Sequence, residues 1–227
     1  MTGTRSPRNK ETYFTGQNLA QTAQEMRRAV EAPRRASPAG FKPGRSALLV
    51  LDMQAYFLET ESHAYIPSAP AILPGIQSLV QAYQQQNLPV IFTRHANTPV
   101  DAGQMAYWWR ELIVANSPLS GIVSQLDTRG GMILPKTQYD AFYGTSLEAE
   151  LRHQQVTQVV VSGVMTHLCC ETTARAAFVR GFQVFFLVDG TATYNQDFHR
   201  ASLLNLSHGF ATLSLVSEIL AALQEDR

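Results

Sequence analysis

The sequence predicts an α/β fold, a three-layer α/β/α sandwich around a six-stranded, mostly parallel sheet. Three observations carry this reading. Short runs of Val, Ile, Leu and Phe recur along the chain, as in strands buried on both faces. Segments with helical spacing of apolar residues separate them, and strands alternating with helices build parallel sheets. Several of the runs also end in a residue with chemistry to offer (Asp52, Lys136, Asp189). In an open parallel sheet, ligands gather at the carboxyl ends of the strands.

Taken in order, residues 1–45 form a basic amino-terminal arm, with Arg5, Arg8, Lys10, Arg27, Arg28, Arg34, Arg35, Lys42 and Arg45 and few large apolar side chains. The arm is expected to be partly ordered, with a weakly amphipathic helix from Gln17 to Ala32 stopped by Pro33. Residues 46–227 form the folded domain. Ser46 to Leu51 is a continuous apolar strand that delivers Asp52. Ile72 to Gln86 reads as a helix with Ile76, Leu79, Val80 and Tyr83 on one face and Pro74 in its first turn. Pro89 to Thr93 is the second strand, followed by a polar loop with His95 and an aromatic cluster, Tyr107-Trp108-Trp109. Met132 to Pro135 is a third strand that delivers Lys136, and Ser146 to Arg152 is helical. The fourth strand, Val156 to Ser162, breaks at Gly163 and passes into a helix-period segment that carries Cys169. Gln183 to Asp189 is the fifth strand and Arg200 to Ser207 a helix stopped by Gly209. Ala211 to Leu215 is the sixth strand, and a closing helix runs from Ser217 to Leu223.

Composition narrows the function classes. The 227 residues carry no formal net charge, so no overall field favours nucleic acid or a membrane surface. No apolar run approaches the ~18 residues that a bilayer crossing needs. Two cysteines, adjacent in sequence, fit neither a disulfide framework nor a C-x-x-C site. Free thiols without a secretory signal point to the reducing cytosol.

Strand, turn and helix around Cys169 place its thiol beside helix-terminal N–H groups, which favour a thiolate of lowered pKa and can receive an oxyanion. Adjacent helical residues lie about 100° apart, so one thiol can face a cleft and the other packs as a small hydrophobe. The alternative is that both are core cysteines. Asp52, Lys136 and Cys169 all follow strands, so the topology brings them to one edge. There a carboxylate can take the thiol proton, a lysine can hold that carboxylate, and sulfur can attack.

Leu49-Val-Leu-Asp52-Met-Gln54-Ala-Tyr-Phe57, Lys136 ahead of Ala141-Phe142-Tyr-Gly144-Thr145, and Gly163-Val-Met-Thr166-His-Leu-Cys169 resemble the isochorismatase-like cysteine hydrolase superfamily over residues 45–215. The resemblance implies a Cys-Asp-Lys triad with Cys169 as nucleophile, Asp52 as general base and Lys136 as orienting cation. It also implies a cis peptide between Val164 and Met165, and an oxyanion hole from the backbone N–H groups of Met165, Thr166 and Cys169. Isochorismatases proper carry Gly at the position of Cys169, so the thiol favours attack at a carbonyl or amidine carbon, as in nicotinamidases and N-carbamoylsarcosine amidases. His167 resembles the isochorismatase branch instead. Nicotinamidases tend to hold a metal through an Asp and several histidines. His63 and His95 stand apart in this sequence, so no metal and no other cofactor is expected, and nicotinamide is a less favoured substrate.

Candidate substrate contacts are Gln54, Phe57, His95, Trp108, Phe142, Tyr143 and His167. The partner is then a small molecule. Because relatives are commonly oligomers, a homodimer or homotetramer is expected, with the arm and the Trp-rich segment available for an interface. The leading reading is hydrolysis of a C–N bond in a small amide, ureide or carbamoyl compound through a thioester. Its rivals are vinyl-ether hydrolysis with Asp52 as acid, and a catalytically silent interaction protein using the arm.

Overall fold

The computed structural model describes residues 9–30 and 40–225. Its centre is one sheet of six parallel strands: β1 (Ser46–Leu51), β2 (Val90–His95), β3 (Met132–Lys136), β4 (Gln158–Val164), β5 (Gln183–Ala192) and β6 (Thr212–Ser214). Their spatial order is β3-β2-β1-β4-β5-β6. Every residue of β1 and of β4 is buried, which is why these runs read as continuously apolar rather than alternating. Leu49 sits between Ile91 of β2 and Val161 of β4 in register.

Eight α-helices surround the sheet: α1 (Leu19–Val30), α2 (Ala55–Leu58), α3 (Ala69–Gln85), α4 (Met105–Trp108), α5 (Leu147–His153), α6 (Glu171–Val179), α7 (Gln196–Gly209) and α8 (Val216–Glu225). From β1 the chain winds outward through β2 to β3. From β4 it winds the other way through β5 to β6. Right-handed crossovers therefore put the intervening helices on opposite faces. On one side α3 packs against α8, and on the other α7 packs against α1 and α6. The reversal lies between β1 and β4, the crevice where open α/β sheets bind ligands.

Local sequence explains several element ends. In α3, Ile72, Ile76, Leu79, Val80 and Tyr83 are buried at helical spacing, and burying each such side chain is worth roughly 1.5–3 kcal/mol. This helix begins at Ala69, with Pro70 at its start, so Pro74 lies inside it rather than in the first turn. Asn195 caps α7 by accepting the Phe198 N–H at 2.9 Å, which starts that helix four residues ahead of Arg200. Lys136 is the last residue of β3 rather than a residue beyond it, and β5 runs on through Ala192 past Asp189.

The amino-terminal residues that are described pack into the same core. Tyr13 and Phe14 are buried there, their N–H groups both donating to Ser68 Oγ. The Tyr13 hydroxyl accepts the Thr193 N–H at 2.9 Å. The expected helix stop at Pro33, together with Arg5, Arg8, Arg34 and Arg35, lies outside the described residues. Among the described residues no helix is long and apolar enough to cross a membrane.

Candidate active site

Three strand ends build the site. β1 hands the chain to Asp52, whose φ of 51° turns the backbone sharply out of the strand. Thr93 of β2 fixes this residue twice: its Oγ1 accepts the Asp52 N–H at 3.0 Å and donates to Oδ1 at 2.6 Å. The other carboxylate oxygen, Oδ2, pairs with Lys136 Nζ at 2.8 Å, both side chains being shut off from solvent. From β4 the chain passes through a cis Val164–Met165 peptide into a wide turn, Thr166–Cys170, and on into α6. Gly163 makes that turn possible. At its φ of +107° an added Cβ would stand 2.1 Å from the Leu51 carbonyl oxygen, so only glycine lets β4 pass the end of β1 this closely.

Cys169 reaches back from the turn to the ion pair. Lys136 Nζ donates to its Sγ at 3.4 Å, to the Gln138 carbonyl at 2.9 Å and to His95 Nδ1 at 3.2 Å. Burial pushes the Asp52 carboxyl up, but the Lys136 charge, His95 and a hydrogen bond from the Cys169 thiol together hold it below its ordinary value. Lys136 loses to burial and gains more from Asp52 and Cys169, so it stays charged. Burial and the Asp52 charge drive the Cys169 thiol well above its ordinary value, against the pull of Lys136. The resting site is therefore carboxylate, ammonium and neutral thiol. This corrects the lowered thiol pKa expected from the helix terminus. Cys169 sits in the turn before α6, where burial first and the Asp52 carboxylate second raise it.

A cavity opens over the sulfur, with about 70 Å³ accessible to the centre of a water-sized sphere. Cys169 and Met165 lie on its floor, and Phe57, His95, Trp109, Tyr139 and Tyr194 form much of its wall. The lining also includes a polar group. His63 Nδ1 faces Glu111 at 3.1 Å, and its Nε2 meets the Tyr56 hydroxyl at 3.3 Å. Of the seven contacts anticipated from sequence, the structure brings Phe57 and His95 to the cavity. The others are used elsewhere. Gln54 is buried beneath the site, its amide clasping both backbone groups of His95. Trp108 is 78% exposed and Tyr143 62% exposed. Phe142 stacks on Phe182, and His167 stacks on Phe198 while bonding Thr193 Oγ1 at 2.6 Å.

Sequence reading gave no sign of Tyr139, Tyr194 or Glu111 at the cavity, left the place of Trp109 open beside Trp108, and weighed His63 only as a metal ligand. The two histidines that stand apart in sequence share this cavity. Both ring nitrogens of each are engaged: His63 with Glu111 and Tyr56, His95 with Lys136 and Asn97. As placed, these residues do not fit the metal set of the nicotinamidase branch, and among the described residues no group of three or more His, Cys, Asp or Glu could hold an ion.

Known proteins bear on this site. The Isochorismatase domain family matches residues 46–218. The chain is 39% identical over 173 residues to Nicotinamidase 3 of Arabidopsis thaliana, covering 74% of this chain and 83% of that protein. It is 25% identical over 220 residues to the ureidoacrylate amidohydrolase RutB of Pseudomonas syringae pv. syringae, covering 86% and 90%. The crystal structure of a cysteine hydrolase from Pseudomonas syringae pv. phaseolicola superposes with a TM-score of 0.82 at 26% identity, covering 86% of this chain and all of that one.

Proposed function

The chain belongs to the isochorismatase domain family of hydrolases, and from that premise we propose that it cleaves a C–N bond of a small amide, ureide or carbamoyl compound through Cys169, Asp52 and Lys136. One observation carries the mechanism. Asp52 Oδ2, buried and 2.8 Å from the ammonium, is left free by Thr93, which bonds Oδ1, and so is the oxygen that can take the Cys169 thiol proton. Lys136 keeps the carboxylate ionised, by its charge more than by its hydrogen bond.

As sulfur attacks the carbonyl carbon, its proton passes to Asp52, and negative charge forms on the substrate oxygen. The Met165 carbonyl takes the N–H groups of Leu168 and Cys170, so those of Met165, Thr166 and Cys169 are the candidates for the oxyanion. Collapse of the intermediate breaks the C–N bond. The proton on Asp52 goes to the departing nitrogen, which leaves as ammonia or an amine with a thioester on Cys169. Water then attacks the thioester carbon while Asp52 takes its proton, releasing the acid and restoring the thiol.

The cavity is small and lined in part by aromatic rings, which suits a flat, compact substrate. The similarity to Nicotinamidase 3 returns nicotinamide to the substrates worth testing, alongside ureides and carbamoyl compounds. The test is ammonia release across such a panel, with pyruvate assayed from a vinyl-ether substrate in parallel. Cys169→Ala should cut amide turnover on the order of 10⁶-fold, as loss of a nucleophile does. Undiminished ammonia release by that variant, or pyruvate as the only product of the wild type, would sink the reading.

A further inference from the structure

We propose that His95 is a positioning residue: as a neutral imidazole it fixes the rotation of the Lys136 ammonium so that one N–H is aimed at the Cys169 sulfur. This deepens the reading of the same site and rests on it. The argument begins at Asn97. Its Nδ2 donates to Asp101 Oδ1 at 3.0 Å and to the Thr137 carbonyl at 2.9 Å, which settles which end of the amide is oxygen. That oxygen lies 2.8 Å from His95 Nε2. An acceptor there requires Nε2 to carry hydrogen, and a neutral ring then presents a bare lone pair at Nδ1. The lone pair faces Lys136 Nζ at 3.2 Å.

An ammonium has three hydrogens, and here they have three directed acceptors: the Gln138 carbonyl, His95 Nδ1 and Cys169 Sγ. Two legs of a tripod fix the third. With His95 in place the remaining N–H points at sulfur, while the ammonium stands 2.8 Å from Asp52 Oδ2 and is bound to it chiefly by charge. Without His95 the ammonium is free to rotate and to aim that N–H at Oδ2, 2.8 Å away. The sulfur then loses a donor and the carboxylate becomes a weaker acceptor of the thiol proton, and both changes slow the nucleophile.

The charged groups that act on this ring are Asp52 from the end of β1, Lys136 from β3 and Asp101 from the loop after β2, and the titratable side chains that share its cavity are Cys169, His63, Glu111 and Tyr139. Burial and the Lys136 charge both keep His95 neutral. A proton on Nδ1 would turn it toward the Gln138 carbonyl and set it against the ammonium. Gln54 secures the ring from behind, accepting the His95 N–H and donating to its carbonyl, both at 2.9 Å.

The test is the rate of Cys169 alkylation by iodoacetamide between pH 5 and 9, read by peptide mapping in the full-length protein, with the fold checked by circular dichroism. In the wild type the rate should be nearly flat, because Asp52 takes the proton throughout this range. His95→Leu should slow alkylation at pH 7 by about tenfold, and its rate should climb toward pH 9 as direct ionisation of the thiol takes over. His95→Gln, which restores an acceptor oxygen, should recover most of the rate. If His95→Leu does not fold, Asn97→Leu, which removes the tautomer lock, should show a smaller loss of the same kind. A folded His95→Leu or Asn97→Leu protein with the wild-type profile would overturn the proposal. A wild-type Cys169 no more reactive than an unfolded cysteine would sink the proposed function instead. The ¹⁵N shifts of His95 in the wild type then still decide the inference: hydrogen on Nε2 supports it, and hydrogen on Nδ1 overturns it.

Discussion

Asp52 and Asp189 both close apolar strand runs, Leu49-Val-Leu-Asp52 at the end of β1 and Phe186-Leu-Val-Asp189 within β5. In sequence they are near equivalents, and in space they are opposites. Asp52 lies at the β1–β4 reversal, where β3 delivers a lysine and the turn after β4 delivers a thiol. Lys136 overrides burial there and keeps the carboxyl ionised. Asp189 lies away from that reversal. Its Oδ1 accepts the Val216 N–H at 2.8 Å and so anchors the start of α8. Burial raises its pKa more than that bond and the more distant Arg27 lower it, and Glu218 adds to the rise. A strand-end acid becomes chemistry only where neighbouring strands bring its partners.

Exchanging each acid for its amide tests that contrast with the largest expected effect. Asp52→Asn removes the proton acceptor and should lower kcat about 10²–10⁴-fold, the usual worth of a general base. It also leaves the buried Lys136 charge unpaired, which costs about 3–5 kcal/mol of stability. Asp189→Asn keeps an oxygen for the Val216 N–H and removes a buried charge, so kcat should be unchanged. Equal losses of kcat in the two variants would break the comparison.

The pH dependence of stability sharpens it, because the two acids have opposite signs. The folded pKa of Asp52 is depressed, so its contribution is full above the unfolded value of ~3.9 and is lost as pH falls through the folded value. The folded pKa of Asp189 is raised, so its contribution is full below ~3.9 and is lost as pH rises through the folded value. Melting curves from pH 3 to 7 should show the deficit of Asp52→Asn growing up to pH ~3.9 and level above it. Over the same range Asp189→Asn should gain on the wild type.

Much of the frame was legible because it obeys local rules. β1 and β4 are buried on both faces and announce themselves as apolar runs, and Gly163 marks the only way past Leu51. The order of strands then places Asp52, Lys136 and Cys169 together without any knowledge of side-chain direction. The cavity wall obeyed no such rule. Phe142 and Tyr143 follow Lys136 closely, yet one packs on Phe182 and the other faces solvent. Glu111 and His63 come from distant loops and meet only through the fold. Tyr13 and Phe14 lie in a stretch that reads as a polar arm, and nothing local shows that Ser68 and Thr193 await their backbone and hydroxyl groups.

Adjacent residues repeat the lesson at smaller scale. Cys169 meets Lys136 and the cavity, whereas Cys170 is wholly buried in the core with its Sγ 4.0 Å from the Ser162 carbonyl. Cys170→Ala should cost on the order of 1 kcal/mol in unfolding free energy, the price of a small void. Its kcat should be that of the wild type. A large loss of activity in that variant, with the melting temperature intact, would mean that the two thiols share the chemistry.

The tryptophan pair should show the smallest effect. Trp109 lines the cavity and donates from Nε1 to the Tyr139 hydroxyl at 2.7 Å, joining two aromatic walls edge to face. Trp109→Phe keeps a ring but drops that donor. One hydrogen bond is worth a net 0.5–1.5 kcal/mol, so KM should rise about two- to tenfold while kcat holds. Trp108 stands one residue away with its ring in solvent, and Trp108→Ala should leave KM unchanged. The reverse result, KM moved by Trp108 and not by Trp109, would require the segment from Met105 to Ile113 to close over substrate in another arrangement. The two rings would then have exchanged places.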